Sequence, residues 1–215
     1  MTCEFSLEHY RELLAAAKAG GYRFAGFDEP PQAGDLLLRH DVDLSLGSAL
    51  QMAEVEADVG ASSTWFLMTR SVFYNLGSSE GEAAVSRLRA LGGRIAHHAV
   101  WPHLDLDESL GFEPVVAWHN PEPDYMSEAV PGAQNAMAVP FFEQEHYRSD
   151  SNQHWRHGCP HDGLARGDFE WLQLLIHPEI WVYDGRTMGE TMQTFLDADR
   201  DARLEHLRAD RIDLE

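Results

Sequence analysis

Short apolar runs that end in histidine or aspartate are the feature that most constrains the fold of this chain. Three leucines at 36–38 lead into Arg39-His40-Asp41-Val42-Asp43. Further apolar runs cover residues 64–68, 95–101, 114–118 and 171–176, the last two followed by His119 and His177. Unbroken runs of this length are typical of strands that are buried on both faces. The sequence therefore predicts several buried strands with polar residues at their carboxyl ends.

Segments with helical spacing of apolar residues separate these strands, over residues 6–19, 46–57, 85–91 and 188–207. Ser45 is the predicted N-cap of the second helix, and Ser79 with Glu82 forms a capping box before the third. Residues 125–145 have weaker periodicity and predict a helix or a long loop. The alternation predicts one α/β domain over residues 1–215 with a mainly parallel sheet, in which sites assemble at the carboxyl ends of the strands.

The acidic composition excludes several classes of function. Asp and Glu number 36 against 16 Lys and Arg, which gives a net charge of -20. Phosphate backbones and anionic membranes are repelled at long range, so we expect no nucleic-acid partner. The sequence contains no run of about 18 apolar residues and no signal-peptide pattern, so we expect no membrane span and a cytoplasmic protein. The two cysteines, Cys3 and Cys159, have no CxxC spacing, which argues against a thiolate zinc site.

Asp41 and Asp43 are the first candidate functional pair. Residues two apart on a strand point to the same face with about 6.6 Å between their Cα atoms, so both carboxylates are expected to face one site. One carboxylate can then bind a metal while the other stays free as a base. Two acids at a strand end can also be solvated or cap the next helix. A carboxylate beside a buried apolar strand is nevertheless costly without a partner, which favours a functional role.

Histidines at strand ends are the second group of candidates. His97 and His98 face opposite sides of an extended strand, so at most one is expected to point to a shared site. His103, His119 and His177 follow strands, although a single histidine is more often an ordinary buried or surface residue. One carboxylate and two imidazoles with an open fourth position form the ligand set of a catalytic zinc site.

A competing motif is the G-x-S-x-G pattern at residues 77–81, which resembles the nucleophile elbow of serine hydrolases. The elbow requires a buried strand directly before the serine, and residues 71–76 are too short and too polar for one. Ser79 is better explained as the N-cap of the helix that follows.

Six segments in order resemble one known family. They are Arg39-His40-Asp41-Val42-Asp43 with Ser45-Leu46; Thr64-Trp65-Phe66 with Phe73-Tyr74-Asn75; Ile95-Ala96-His97-His98; Trp118-His119-Asn120-Pro121; Tyr147-Arg148-Ser149-Asp150-Ser151-Asn152 with Trp155-Arg156; and Leu172-Gln173-Leu174-Leu175-Ile176-His177-Pro178-Glu179. Together they resemble polysaccharide deacetylases of the NodB-homology type, in the branch with a His-Asp-Val-Asp first motif. The resemblance covers most of the chain.

The resemblance implies a distorted, incomplete (β/α) barrel and a divalent metal, with zinc as the expected ion. It assigns the base to Asp41, a metal ligand to Asp43, the first metal histidine to His98 and the general acid to His177. The third ligand stays open between His103 and His119. The segments also contain the residues that we expect to bind substrate, which are Arg39, Trp118, Asn120, Asp150, Asn152 and Trp155.

The implied activity is the hydrolysis of a carbon–nitrogen amide bond, other than a peptide bond, on an N-acylated sugar or glycan precursor. The tryptophans near the motifs offer stacking faces for a sugar, although burial in the core is their commoner use. The alternative is a non-catalytic relative that binds carbohydrate or assists glycan assembly and keeps the barrel without a productive metal site.

Overall fold

The computed structural model describes residues 4–104, 106 and 110–212. Its strands are β1 (Arg23–Phe24), β2 (Asp35–Val42), β3 (Thr64–Met68), β4 (Arg94–Ala99), β5 (Val115–Trp118), β6 (Gln134–Asn135), β7 (Tyr147–Ser149) and β8 (Leu172–Ile176). They form one parallel sheet in the order β6-β5-β4-β3-β2-β8-β7, and β1 pairs with the start of β2. The sheet curls through 218°, which confirms the predicted incomplete (β/α) barrel.

Six α-helices occur in the described part of the chain, namely α1 (Leu7–Ala19), α2 (Leu46–Val59), α3 (Ser79–Ala90), α4 (His161–Arg166), α5 (Pro178–Val182) and α6 (Met188–Ala209). The side chain of Ser45 accepts a hydrogen bond from the Ser48 N–H, which confirms Ser45 as the N-cap of α2. Gly60 ends α2 with φ 66°, a left-handed conformation that glycine adopts without steric cost. Among the described helices, none combines the length and the apolar composition needed to cross a bilayer.

Side chains alternate between the two faces of the sheet as the pleat requires. Leu36 and Leu38 of β2 pack with α1 and α2 in the largest core cluster. Leu37 packs instead with Phe66, Ala96 and other strand residues in a second cluster, which fills the inside of the curl. The odd-numbered residues of β2 therefore face the concave side, and continuing this alternation brings Arg39, Asp41 and Asp43 to its carboxyl end.

The N-terminus of α3 differs from the prediction. The N-cap is Ser78, whose side chain accepts a hydrogen bond from the Gly81 N–H, whereas Ser79 is the first helical residue. The hydroxyl of Ser79 donates to Glu80 at 3.1 Å. Strand β3 ends at Met68, so a serine-hydrolase elbow, with its strand directly before the serine, is absent from this described segment.

The segment 125–145 contains turns and the short strand β6 rather than a helix. The side chain of Asn135 holds it, donating to the carbonyl groups of Met126 and Glu128 and accepting from the Met137 N–H. Ala136 and Phe141 insert into the core inside the curl. Of the two predicted alternatives for these residues, the long loop is therefore correct.

Candidate metal centre

Three neighbouring parts of the sheet bring Asp43, His98 and His119 together. Asp43 follows the end of β2, His98 lies near the end of β4, and His119 follows β5. The parallel register places Met68 beside His98 and His98 beside Ala117, so these strands end at the same edge. His98 faces this site, while the His97 ring contacts Phe112 at 5.1 Å between ring centroids. The prediction that only one of the two adjacent histidines reaches the site is confirmed.

The potential ligand atoms of these residues all lie within 4.8 Å of one another. Oδ1 of Asp43 is 3.0 Å from Nε2 of His98 and 3.0 Å from Nδ1 of His119. In a tetrahedral zinc site with bonds of about 2.0–2.1 Å, ligand atoms lie roughly 3.3 Å apart, so the two oxygen–nitrogen distances are within a few tenths of an ångström of those around an ion. The group thus supplies one oxygen and two nitrogens at a distance compatible with a shared cation.

The hydrogen bonding of His98 is a first indication that this group fits a cation. Nδ1 of His98 donates to the carbonyl oxygen of Ala117 at 3.0 Å, because a carbonyl can only accept. In the neutral ring, Nε2 therefore carries a lone pair that faces the Asp43 carboxylate, and two acceptors at 3.0 Å need a cation or a proton between them. A carbonyl that fixes the far nitrogen is also the usual support of a metal-bound histidine.

Asp43 Oδ1 gives a second indication that the donor set fits a cation. This atom is buried and accepts no hydrogen bond of good geometry from any residue that the structure describes, although both imidazoles are close. An unsatisfied buried carboxylate oxygen is costly, and a bound cation would satisfy it. The residues present therefore fit a divalent ion with three protein ligands and an open position.

Electrostatics keep the Asp43 carboxylate ionised. Burial raises the pKa of Asp43, but the contacts with His119 and His98 outweigh it and hold this pKa well below its usual range. The same contact with Asp43 raises the pKa of His119 against the opposing effect of burial. The amide Nδ2 of Asn120 lies 3.2 Å from Nε2 of His119 and orients this ring from its other side.

Asp41 lies beside the metal group, with its Oδ2 3.8 Å from Nε2 of His98. The Arg39 guanidinium donates to both carboxylate oxygens of Asp41, from Nε at 2.8 Å and from a terminal nitrogen at 2.6 Å. Burial raises the pKa of Asp41, but the contacts with Arg39, His98 and His177 together outweigh burial and hold this pKa below its ordinary value. Asp41 is therefore an ionised, oriented carboxylate within reach of the same space.

His177 follows β8 and is held by the buried Asp150. Nδ1 of His177 lies 2.6 Å from Oδ1 of Asp150, and the His177 backbone N–H donates to Oδ2 at 2.9 Å. The indole N–H of Trp181 donates to the same Oδ2 at 2.7 Å. Burial lowers the pKa of His177, but the Asp150 carboxylate outweighs burial and raises it to about 10. His177 is therefore an imidazolium at neutral pH, with Nε2 as its remaining ring nitrogen.

One cavity of about 210 Å³ connects these groups. Its walls include the metal group together with Asp41 and His177, so a carboxylate, an imidazolium and the candidate ligands share one space. Most of the remaining wall is formed by Trp118, Asn120, Met126, Met137, Phe142 and Tyr147. This arrangement can bind a cation, accept a proton at Asp41 and donate one from His177.

The structure separates the two candidates for the third metal ligand. His103 is exposed and lies outside the group that could hold an ion, whereas His119 belongs to it. Val100 and His103 instead form an isolated bridge that turns the chain after β4. The geometry therefore favours His119.

Several residues that we expected to bind substrate contact other parts of the protein. The Arg39 side chain is 1% exposed and binds Asp41, and Asp150 is completely buried against His177 and Trp181. Trp155 stacks on Phe5 and packs in the core. Sequence motifs locate such residues near a site, but they do not distinguish a side chain that touches a ligand from one that holds its neighbour.

The remaining expected substrate residues lie at the cavity or beside it. Trp118 and Asn120 line the main cavity, although the Trp118 ring is largely buried against Trp101. Asn152 is exposed and lines an adjoining cavity instead.

Tyr147 is the main wall residue that the sequence did not single out as a site residue. It lines the cavity from β7, a strand of three residues that is too short to produce a readable hydrophobic pattern. Burial raises the pKa of Tyr147 to about 12, so its hydroxyl is a neutral donor or acceptor. Its sequence signal is its place at the start of the family-like segment 147–152, from which only Asp150 and Asn152 were expected to bind substrate.

Comparison with known proteins gives no relative from which a function could be transferred. No family model, no curated protein and no solved structure matches this chain. The class defined by the fold and the site is an α/β half-barrel with a His-His-Asp group that could hold a metal ion at the carboxyl ends of its strands.

Proposed function

We propose that the protein is a metal-dependent hydrolase that removes an N-acetyl or related acyl group from a sugar or glycan precursor. The observation that carries this proposal is the shared cavity, where Asp41 and His177 flank the group of Asp43, His98 and His119. Amide hydrolysis needs a metal or oxyanion site, a base and an acid around one small volume. The substrate class, an amide on a sugar, rests on the resemblance of the six sequence segments to polysaccharide deacetylases.

Asp43, His98 and His119 would hold the ion, and Asp41 stays free as the base because Arg39 already orients it. A divalent ion, when bound, supplies a Lewis acid that lowers the pKa of water and polarises the acyl oxygen. Asp41 accepts a proton from the attacking water, whose oxygen forms the new bond to the acyl carbon. The carbon–nitrogen bond then breaks, and His177 donates a proton to the departing nitrogen. The products are a free amine on the sugar and a carboxylate.

The first test combines a mass-shift screen of N-acetylated sugars and glycan precursors with variants of the base and the acid. Asp41→Asn and His177→Ala should each reduce turnover by a factor of roughly 10² to 10⁴ while the metal stays bound. Asp43→Ala should lose the metal as well as the activity. Full activity in Asp41→Asn would remove the assigned base. If the wild-type protein bound metal and sugar without turnover, the protein would instead be a carbohydrate-binding relative.

A further inference from the structure

A second cavity opens beside the proposed catalytic one and differs from it in charge. It has a volume of about 200 Å³ and shares Phe142, Tyr147 and Ser151 with the walls of the main cavity. Pockets that enclose a whole ligand usually measure about 300–1,000 Å³, so this one suits a single substituent of a larger molecule. A substrate in the main cavity could therefore extend one group into this second cavity, the side pocket.

Among the residues that the structure describes, nitrogen and hydroxyl donors and the rings of Phe142 and Tyr147 line the side pocket, and no carboxylate does. Its outer wall consists of His154, Arg156 and His157, with Ser149 and Asn152 nearby. In contrast, Asp41 and Asp43 face the main cavity. The absence of acidic residues from this wall is notable in a chain with 36 Asp and Glu against 16 Lys and Arg.

Arg156 makes no hydrogen bond or ion pair with a residue that the structure describes. Several other arginines in this acidic protein have carboxylate partners, as in the pairs Arg23–Asp35 and Arg166–Asp168, at 2.8 and 2.6 Å. The guanidinium fork of Arg156 is thus available for an anion. Guanidinium groups bind phosphate through two parallel hydrogen bonds, and ring N–H and hydroxyl donors can complete the remaining oxygens.

The segment that presents these donors is anchored directly before Arg156 and on both sides of His154. Trp155 is buried against Phe5, and Asp150 is fixed by His177 and Trp181. The Gln153 side chain donates to the carbonyl of Gly185 at 2.8 Å and accepts from Thr191 at 2.9 Å. Binding at an anchored segment loses less conformational entropy than binding at a mobile loop.

We infer that the side pocket binds a phosphate group, and that the substrate is therefore a phosphate ester of the acylated sugar. The identification of the substrate rests on the proposed function, whereas phosphate binding does not. Phosphate is favoured over carboxylate because the wall offers more donors than the two oxygens of a carboxylate can use. The net charge of -20 repels anions at long range, so recognition of an anionic substrate needs a local cationic contact of this kind.

The test is calorimetric titration of the metal-loaded protein with inorganic phosphate, with acetate as the carboxylate probe. The titration is run in about 0.15 M NaCl, where the Debye length of about 8 Å screens distant charges. Saturable phosphate binding is expected, and Arg156→Gln should weaken it by about tenfold or more, with a smaller loss in Arg156→Lys. The matched control Arg208→Gln removes the same charge from an exposed position on α6 and should leave the affinity unchanged.

Asp43→Asn separates this inference from the proposed function. Phosphate binding should survive in this variant, because the side pocket does not depend on the metal ligands, even though metal and turnover are lost. The inference is overturned if wild-type protein shows no saturable phosphate binding, or if Arg156→Gln binds as the wild type does. The inference is also overturned if Asp43→Asn loses phosphate binding, which would place the anion on the metal. Equal binding of acetate would overturn the assignment to phosphate.

Discussion

At the scale of single residues, the site consists of three pairs in which one buried group fixes another. Arg39 holds Asp41, the Ala117 carbonyl holds His98, and Asp150 holds His177. Such partners fix the protonation state and the orientation of the groups that face the cavity. Strand ends in the sequence predicted the outer member of each pair. They did not predict that Arg39 and Asp150 act on protein atoms, because that depends on side-chain direction in the folded sheet.

Asp150 provides the sharpest prediction at this scale. Asp150→Asn removes the charge that raises the pKa of His177 to about 10, while burial, which lowers this pKa, remains. Asp43 and Asp41 still raise this pKa in the variant, so the His177 pKa should fall from about 10 toward its ordinary value of about 6.5. Titration of the His177 imidazole by NMR would measure the change, with Trp181→Phe as a control that removes a hydrogen bond to Asp150 but keeps its charge.

The pair of His177 and Asp150 also determines how turnover changes with pH. A general acid must be protonated, so turnover falls as pH rises through the His177 pKa. The alkaline limb of the pH–rate profile should lie higher in wild-type protein than in Asp150→Asn. The stability of the fold depends on pH in the same direction. Because the His177 pKa is raised to about 10 in the folded protein, protonated His177 stabilises the fold fully below its unfolded pKa of about 6.5. This contribution is lost as the pH rises toward 10. An unchanged His177 titration in Asp150→Asn would contradict this account.

At the scale of elements, the sequence predicted the long buried strands better than the short ones. β3 matches its predicted bounds, and β8 differs by one residue, because continuous apolar runs mark strands covered on both faces. β1, β6 and β7 have two or three residues each and carry no period that could be read. Their place is fixed by tertiary contacts, such as the Asn135 hydrogen bonds that hold the loop before β6.

Gly92 and Gly93 follow α3, which ends at Ala90, and each is needed there for a different physical reason. Gly92 has φ 94°, which a residue with a side chain rarely adopts. A Cβ on Gly93 would lie 2.6 Å from the Trp65 ring, so Gly93 is required by close packing of the chain on β3. The two glycines therefore serve different purposes at one helix end.

Ser78 and Ser79 give the prediction for this scale. Ser78→Ala should lower the free energy of unfolding by about 1 kcal/mol, because the Gly81 N–H loses its cap. Ser79→Ala, at an exposed position, should change it by less than about 0.5 kcal/mol. Urea denaturation of both variants compares the two directly. A larger loss in Ser79→Ala than in Ser78→Ala would contradict the assignment of the cap to Ser78.

At the scale of the whole molecule, the curled parallel sheet explains why distant sequence motifs meet. Asp41 and His177 are separated by most of the chain, yet β2 and β8 are adjacent, with His40 beside Ile176. The alternation of strands and helices in the sequence predicted the parallel sheet, and the resemblance to a known family implied the incomplete barrel. The sequence could not supply the strand order or the choice of His119 over His103, since both depend on how the chain continues after β4.

The net charge of -20 provides a prediction for the molecule as a whole. Excess like charge destabilises the compact state through self-repulsion, and salt screens it. Raising NaCl from 0.01 M to 0.1 M shortens the Debye length from about 30 to about 10 Å, so the midpoint of urea unfolding should rise. A matched titration at pH 5, nearer the isoelectric point of about 4.8, should show a smaller effect. A midpoint that falls with salt at neutral pH would contradict this expectation.

The central claim, that Asp43, His98 and His119 hold a divalent ion, is tested most directly by metal content. Wild-type protein, His103→Ala and His119→Ala would each be equilibrated with zinc, freed of excess ion and analysed by mass spectrometry of the metal. The account predicts close to one ion per chain in wild type and in His103→Ala, and a large loss in His119→Ala. Retention of the ion in His119→Ala with its loss in His103→Ala would contradict the account, as would less than about 0.2 ion per chain in the wild type, because sites with three such ligands normally bind firmly.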